Sequence, residues 1–288
     1  MTRLILSFLI KMVPYIHKFH SPNNIVFIFF RKLIILLVRK YKITNKREIC
    51  FFPYNFNGNL KWPLKQFGKL DSYCYFELQE IILHTFYFIN KNKYKFAIDF
   101  GTNIGIDAMV LASFGIKTYA YEPDKDLLSF AYRSKKINKF KNLKLYPYGI
   151  LDKNKTQKFI KVLNNLNASH VKGARSFYGK HKEIKCKFKS FKYMKIKEIP
   201  NLIKINIEGS ESKVVPTIPL KVWKKADVFI EVHDKKNRES LWNFFRKNKL
   251  NIFSQKKNWK RCEKIDELPL SNKEGYIFVS SKNEMKWF

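Results

Sequence analysis

The stretch KFAIDFGTNIGIDAMVLASFGIKTYAYEPDK, residues 95–125, has a strand–turn–helix–strand pattern. A short apolar run ends in Asp99, a turn of small residues follows, and a helical pattern leads to a second apolar run that ends in Glu122. Strands and helices keep alternating beyond it, which predicts an α/β protein with a doubly wound, largely parallel sheet. Because crossovers in such sheets are right-handed, the carboxyl ends of the parallel strands share one edge, where ligands bind.

The remaining elements follow from the same apolar periodicity. We predict strands at 95–100, 117–122, 143–148, 202–207, 227–233 and 275–280, and helices at 104–114, 125–138, 210–216 and 237–248. Alternating stretches over about 155–192 predict a hairpin insertion or extra edge strands. We divide the chain into an N-terminal helical and irregular extension, 1–70, and a main domain, 71–288, which a helix opens near residue 71.

The composition allows a packed core but does not choose a partner. The 288 residues carry a net charge of +34, which indicates either a nucleic-acid or anionic-membrane partner or an AT-rich coding bias. The histidines are scattered, and the four cysteines form no C-x-x-C pair, so we expect no metal site. The cysteines Cys50, Cys74, Cys186 and Cys262 are typical of buried thiols in a reducing compartment, which favours the cytoplasm.

Two apolar runs near the N-terminus, LILSFLIKMV (4–13) and NIVFIFFRKLIILLVRKYK (24–42), leave two interpretations open. Neither reaches the roughly 18–20 uncharged residues that span a bilayer. They form either basic, aromatic helices in peripheral contact with a membrane or helices that pack on the main domain. We expect the segment 1–42 to be dispensable for cofactor binding and to matter for solubility or membrane attachment.

The turn after the first strand predicts a ligand site. Gly101 and Gly105 have the spacing G-x-x-x-G, unlike the G-x-G-x-x-G turn that holds a dinucleotide pyrophosphate. Glu122, about twenty residues on, can accept hydrogen bonds from both ribose hydroxyls, and Asp99 suits an amino group. Ribose and a cation without pyrophosphate describe S-adenosylmethionine better than NAD. The alternative is a tight structural turn followed by a solvated glutamate.

A second group of polar residues lies on the same edge, in NLIKINIEGSESKVV (201–215) and DVFIEVH (227–233). Asn206 and Glu208 end the fourth strand, and Glu211 faces the pocket or else only favours a helix start. His233 ends the fifth strand after Glu231 and either accepts a hydroxyl proton or caps the loop. By position, Gly149 and Ile150 are expected beside an adenine ring.

Together these segments resemble the FkbM family of S-adenosylmethionine-dependent methyltransferases over roughly residues 95–235. The family pattern is an Asp-x-Gly-Ala-Asn-x-Gly turn, a strand that ends in Glu-Pro, and a Lys-Ile-Asp-x-Glu-Gly-x-Glu segment. The matching residues are Asp99, Gly101, Asn103, Gly105, Glu122, Pro123, Lys204, Ile205, Glu208, Gly209 and Glu211. Two positions depart from the pattern: Thr102 replaces an alanine, and Asn206 replaces the aspartate of Lys-Ile-Asp.

The resemblance implies a Rossmann-like methyltransferase domain that uses S-adenosylmethionine to methylate a hydroxyl, often on a sugar or natural product. The expected cofactor-binding residues are Asp99, Gly101, Asn103, Gly105, Glu122, Pro123, Gly149 and Ile150. The expected catalytic residues are Asn206, Glu208, Glu211 and His233. We therefore expect an O-methyltransferase with a small-molecule or glycan acceptor; the oligomeric state is not predicted.

Two other functions stay open. The basic charge favours an RNA methyltransferase, although INIEGSE lacks the Asn/Asp-Pro-Pro-aromatic segment expected for methylation of a base amine. Asn206 and the N-terminal apolar runs are also compatible with a non-catalytic, membrane-associated adaptor that keeps a vestigial cofactor pocket.

Overall fold

The structure, a computed structural model, describes residues 2–40, 49–51, 60–63, 77–163, 165–176, 179–194 and 196–287. The helices are α1 (Thr2–Met12), α2 (Ile25–Lys40), α3 (Leu78–Ile89), α4 (Ile106–Ser113), α5 (Lys125–Asn138), α6 (Glu211–Val214), α7 (Leu220–Trp223) and α8 (Lys235–Lys247). The strands are β1 (Ile49–Phe51), β2 (Lys61–Pro63), β3 (Phe96–Phe100), β4 (Lys117–Tyr121), β5 (Leu143–Tyr146), β6 (Gly149–Ile150), β7 (Lys155–Val162), β8 (His170–Val171), β9 (His181–Lys189), β10 (Leu202–Ile205), β11 (Asp227–Glu231), β12 (Asn251–Ser254), β13 (Lys260–Arg261) and β14 (Tyr276–Ser280).

Eight strands form the main sheet in the order β13–β12–β14–β11–β10–β3–β4–β5. The five strands from β11 to β5 are parallel, whereas β14, β12 and β13 are antiparallel to their neighbours. This confirms the predicted α/β fold with a doubly wound, largely parallel sheet. The chain runs from β3 outward to β5 and then returns to place β10 on the other side of β3. Ligands bind at such reversals of strand order, here between β3 and β10.

Both faces of the main sheet are covered, so its central strands are apolar throughout. Ala97 of β3 packs in the core shared with α3, α4 and α5, and Ile98 packs in the core shared with α6, α7 and α8. Side chains alternate between the faces of a strand. Asp99, Lys204 and Glu231 therefore project toward the layer that contains α3 and α4.

The insertion between β5 and β10 forms a second, smaller sheet in the order β6–β9–β7–β8. Its centre is the antiparallel pairing of β7 with β9, from Lys155 opposite Phe188 to Val162 opposite His181. Of the two alternatives predicted for residues 155–192, the structure shows the hairpin. The strands of this segment do not add to the edge of the main sheet. The loop that follows β8 reaches the β10 end, where Arg175 meets Glu208.

The N-terminal helices are part of the core on the α3 face. Leu6, Ile10 and Ile34 are at most 1% exposed and pack in the same apolar cluster as α3 and α4. A 3₁₀ helix over Val13–Phe19 joins α1 to the turn before α2, and the His20 imidazole accepts a hydrogen bond from Trp259 Nε1 at 2.9 Å. These contacts favour the second sequence interpretation, helices that pack on the main domain. That residues 1–42 are dispensable for cofactor binding stays a prediction.

The predicted strands correspond to β3, β4, β5, β10, β11 and β14, and the predicted helices to α4, α5, α6 and α8. The short strands β12 and β13 and the single turn of α7 were not predicted. The helix start near residue 71 and the boundary at residue 70 lie outside the described residues, as do the side chains of Cys50 and Cys74. Cys186 and Cys262 are buried free thiols, as expected.

Of the helices in the described part of the chain, none combines the length and apolar character that a bilayer crossing requires.

Candidate functional site

The turn after β3 is shaped by left-handed backbone at three positions. Gly101, Asn103 and Gly105 have φ of 78°, 54° and 88°. A Cβ on Gly101 would lie 1.8 Å from the carbonyl oxygen of Asn206, so only glycine lets this turn approach the end of β10. Gly101, predicted as part of a ligand-binding turn, is therefore also required by the protein's own backbone.

Glu122 follows β4 and lies beside this turn. Its Oε2 accepts the backbone N–H of Asn103 at 2.9 Å, and its Oε1 accepts the backbone N–H of Asp124 at 2.9 Å. The residue is 4% exposed, and burial raises the pKa of its carboxyl to about 8. A carboxyl group, ionised or protonated, has more hydrogen-bonding positions than these two bonds use, so Glu122 keeps capacity for a ligand hydroxyl.

A cavity of about 900 Å³ lies above the carboxyl ends of β3, β4 and β10, at the reversal of strand order. It is large enough for a nucleoside-sized cofactor and a small acceptor together. Eight of the twelve predicted site residues line it: Gly101, Asn103, Glu122, Pro123, Gly149, Ile150, Asn206 and Glu208. The other four, Asp99, Gly105, Glu211 and His233, lie behind the wall.

One side of the cavity is apolar. Gly149 and Ile150 line it together with Phe159 and Phe188 of the small sheet. A Cβ on Gly149 would lie 2.6 Å from the Phe188 ring and 3.3 Å from Pro123 Cγ, so these residues pack closely. Such a surface suits a flat aromatic group.

Lys204 forms a buried charge network in the cavity floor. Its Nζ lies 3.1 Å from Asp107 Oδ2 and 3.7 Å from Asp99 Oδ1, and Asp107 Oδ1 lies 3.1 Å from His84 Nε2. Burial raises the pKa of Asp99 to about 6. Despite the cost of burial, Lys204 and His84 hold the pKa of Asp107 well below its usual range. Asp99 therefore belongs to this internal network and does not face the cavity as the sequence argument expected.

A second polar cluster follows β10 and β11. His233 Nε2 lies 3.3 Å from Asn206 Oδ1 and 3.3 Å from Glu231 Oε2, while its Nδ1 lies 3.8 Å from Glu208 Oε2. Glu208 pairs with Arg175. Burial raises the pKa of Glu208 to about 7, although Arg175 opposes it, and burial lowers the pKa of His233 to about 3. Glu208 is thus the better proton acceptor near neutral pH.

Glu211 organises the turn between β10 and α6. Its Oε1 accepts the backbone N–H of Ile207 at 2.9 Å, and its Oε2 accepts the backbone N–H of Gly209 at 3.0 Å and Asn237 Nδ2 at 3.2 Å. The residue is fully buried and contributes nothing to the cavity wall. These contacts favour the structural role that the sequence left as an alternative for Glu211.

Two groups of side chains have the spacing of metal ligands among the described residues: Glu80, His84 and Asp107, and Glu208, Glu231 and His233. In each group the ligand atoms lie within 4.8 Å of one another. A protein cation already faces one carboxylate of each group, because Lys204 lies beside Asp107 and Arg175 pairs with Glu208. The chain therefore carries its own counter-charge at both places.

Several site residues were not foreseen. Arg175 comes from the insertion, which carried no motif, and helix α2 supplies Phe27, Ile28, Arg31, Lys32 and Ile35 to a cavity wall. Lys204 was noted only as a motif match, although a lysine inside the apolar strand LIKI is itself a signal of a buried ion pair. Nothing in the local pattern of Arg175 would have identified it.

No protein-family model and no curated protein sequence matches the chain. Among solved structures, it is similar to the methyltransferase FkbM from Methylobacillus flagellatus KT, with 16% identity and a TM-score of 0.43 over 65% of this chain and 43% of that one. It is also similar to a putative methyltransferase from Streptococcus mutans in complex with SAH, with 12% identity and a TM-score of 0.39 over 69% of this chain and 94% of that one. An rRNA methylase from Streptococcus thermophilus has 11% identity and a TM-score of 0.39 over 69% of this chain and 92% of that one. Likenesses this remote identify neither cofactor nor acceptor.

Proposed function

We propose that this protein is an S-adenosylmethionine-dependent methyltransferase of FkbM type that methylates a hydroxyl of a carbohydrate or another small polyhydroxylated acceptor. The observation that carries the proposal is the position of Glu122. It ends β4, contacts the Gly101–Asn103 turn through the backbone of Asn103 and lines the cavity at the reversal of strand order. A carboxylate there can hold a ribose, and a turn without a pyrophosphate-binding pattern argues against a dinucleotide.

The residues present fit the proposed cofactor. Asn103 Oδ1 is a buried acceptor without a hydrogen bond, close to Glu122, and it can accept from a ligand donor. Ile150 and Phe188 give an apolar surface for the adenine, and Glu122 would take the ribose hydroxyls. The bound cofactor would supply a methyl group on a sulfonium centre. Micromolar binding is a reasonable expectation for contacts of this kind, each worth about 1–3 kcal/mol.

The second polar cluster supplies positioning and proton removal. The Asn206 amide oxygen lies at hydrogen-bond distance from His233 Nε2, so an Nε2–H would hold this oxygen and leave the Asn206 NH₂ free to orient an acceptor hydroxyl. Glu208, which lines the cavity, would accept the hydroxyl proton. Its raised pKa matches a general base near neutral pH. His233 lies behind both and acts as a positioning residue.

RNA is the competing acceptor, and the net charge of +34 is the observation that favours it. A screen with methyl-labelled S-adenosylmethionine separates the two acceptors: one arm offers glycans and sugar nucleotides, the other total RNA. We expect label in the first arm. With the acceptor found, Glu208→Gln should lower turnover about a hundredfold without changing cofactor affinity, whereas Glu239→Gln on the exposed face of α8 should leave both unchanged. Label in RNA alone would overturn the acceptor assignment. No transfer in either arm, despite cofactor binding, would favour the adaptor.

A further inference from the structure

Exposed apolar side chains are concentrated on the two N-terminal helices and on the 3₁₀ helix that joins them. Of the thirteen large hydrophobic residues that are exposed in the described part of the chain, eight lie between residues 4 and 36. They are Leu4, Ile5, Phe8, Tyr15, Phe19, Ile25, Phe29 and Leu36, each at least 40% exposed. Isolated exposed hydrophobics are ordinary, but a cluster on one pair of neighbouring helices indicates an interaction surface.

Most of these residues follow helical periodicity with a lysine in each row. On α1 the exposed row is Leu4, Phe8 and Lys11, and on α2 it is Ile25, Phe29, Lys32 and Leu36. The spacing of three and four residues places each row on one side of its helix. We call the two rows together the N-terminal face. The opposite sides of the same helices are already used, because Leu6, Ile10 and Ile34 are buried in the core.

The charge around this face has a single sign. Residues 1–47 contain ten lysines and arginines and neither aspartate nor glutamate. A second copy of the chain would bring Lys11 and Lys32 toward equally basic surfaces, which opposes self-association. An anionic bilayer complements the charge, attracts each basic side chain, and accepts aromatic and aliphatic side chains at the headgroup boundary. RNA is bound through aromatic stacking and phosphate contacts, and exposed aliphatic residues such as Leu4, Ile25 and Leu36 make neither.

We propose that the N-terminal face binds an anionic lipid surface, with the apolar residues inserted at the headgroup boundary and the lysines against lipid phosphates. This resolves the two sequence interpretations of the N-terminal runs into one: a side of each helix packs on the domain, and the other side faces the membrane. Helix α2 also lines the cavity through Ile28 and Ile35, so the lipid-binding element borders the proposed active site. The proposal itself does not depend on the proposed function.

The test is flotation of the full-length protein with vesicles, in the absence of cofactor. Vesicles of equal parts phosphatidylglycerol and phosphatidylcholine should carry the protein, and vesicles of phosphatidylcholine alone should not. The double variants Phe8→Ser/Phe29→Ser and Lys11→Gln/Lys32→Gln should each weaken binding by about tenfold or more. The matched control Tyr193→Ser removes a comparably exposed aromatic, 56% against 62% and 61% for the two phenylalanines, and should bind as the wild type.

Thermal unfolding shows that the fold of each variant is intact. Titration of S-adenosylmethionine into the Phe8→Ser/Phe29→Ser variant, whose replaced side chains do not line the cavity, separates a failed lipid assay from a failed cofactor site. Absence of flotation with anionic vesicles would overturn the proposal, as would wild-type binding by the Phe8→Ser/Phe29→Ser variant. Flotation that nuclease treatment abolishes would assign the surface to nucleic acid. A wild-type dimer that dissociates when Phe8 and Phe29 are replaced would assign it to a second copy of the chain.

Discussion

The backbone N–H of Asn103 donates to Glu122 Oε2 across 2.9 Å, which ties the turn after β3 to the end of β4. The two residues are nineteen positions apart in the chain and meet because β3 and β4 are parallel neighbours. Asn103 presents this N–H from a left-handed conformation, which asparagine adopts more readily than other residues with a Cβ. The contact holds both parts of the proposed cofactor site in one place.

Gly101→Ala should destabilise the protein far more than Gly115→Ala. Both glycines have positive φ, 78° and 83°, so both substitutions carry the left-handed cost of about 1–2 kcal/mol. Only at Gly101 does a Cβ meet backbone, the Asn206 carbonyl oxygen at 1.8 Å; at Gly115 nothing lies within 4 Å. We expect Gly101→Ala to cost about 3 kcal/mol or more by denaturant unfolding. Equal losses for the two variants would contradict the close packing of the turn on β10.

The free energy of unfolding should fall as pH rises from 6.5 to 8.5. Burial raises the pKa of Glu208 to about 7 and of Glu122 and Glu211 to about 8, above their values in the unfolded chain. The folded state therefore binds more protons than the unfolded chain in this range. For each proton of this difference, the free energy of unfolding falls by about 1.4 kcal/mol per pH unit. His20 and His233, whose pKa burial lowers to about 3, oppose this slope near pH 6.5, because each binds about half a proton there in the unfolded chain and none in the folded state. The three carboxyls outweigh these two histidines across the range.

Chemical denaturation at the two pH values measures this slope. The variant Glu122→Gln should make the slope shallower, and Glu263→Gln, whose side chain is 63% exposed, should leave it unchanged. Stability that is constant or rises over the range would show that these carboxyls are ionised in the folded protein.

Leu6→Ala should lower the free energy of unfolding by about 2–5 kcal/mol, whereas Leu4→Ala should change it by less than about 0.5 kcal/mol. The two leucines lie on the same helix, with Leu6 fully buried and Leu4 75% exposed. The comparison tests whether α1 belongs to the core. If both substitutions are neutral, α1 does not contribute to the core, and removal of residues 1–42 should spare cofactor binding, as the sequence alone led us to expect.

Cofactor binding and catalysis should not depend on a divalent metal. Lys204 and Arg175 already place positive charge against the two carboxylate groups, and an additional cation would compete with them. Extensive dialysis against EDTA should leave S-adenosylmethionine affinity and methyl transfer unchanged. Loss of either on chelation, with recovery on adding magnesium, would show that Glu208, Glu231 and His233 share an ion.

The fold was predictable because its signals are local. Apolar runs that end in Asp99 and Glu122, with a glycine turn between them, specify strand, turn, helix and strand without knowledge of distant contacts. β12 escaped prediction because its four residues, NIFS, carry too short a pattern to separate a strand from a loop. The hairpin of β7 and β9 was one of the two alternatives predicted for residues 155–192, because both strands are long. That it belongs to a separate small sheet was not predicted.

The sequence could predict a cavity-lining residue only where its position depends on the end of the strand that it follows. Asn206 and Glu208 line the cavity because they directly follow β10. The function of Asp99 depends on Lys204 of the neighbouring strand and on Asp107 of α4, and that of Glu208 depends on Arg175, 33 positions away. Such pairings are set by tertiary packing, so the sequence could name Asp99 but not assign it to an internal ion network.

Calorimetric titration of S-adenosylmethionine into the wild type and Glu122→Gln tests whether Glu122 holds the cofactor, with NAD and Glu263→Gln as controls. We expect micromolar binding of S-adenosylmethionine, no binding of NAD, and affinity weakened about tenfold or more in Glu122→Gln, because an amide NH₂ replaces a carboxyl oxygen that would accept from the ribose and an unmade buried hydrogen bond costs about 1–3 kcal/mol. The exposed Glu263 should be replaceable without effect. Wild-type protein that binds NAD and ignores S-adenosylmethionine would contradict the account.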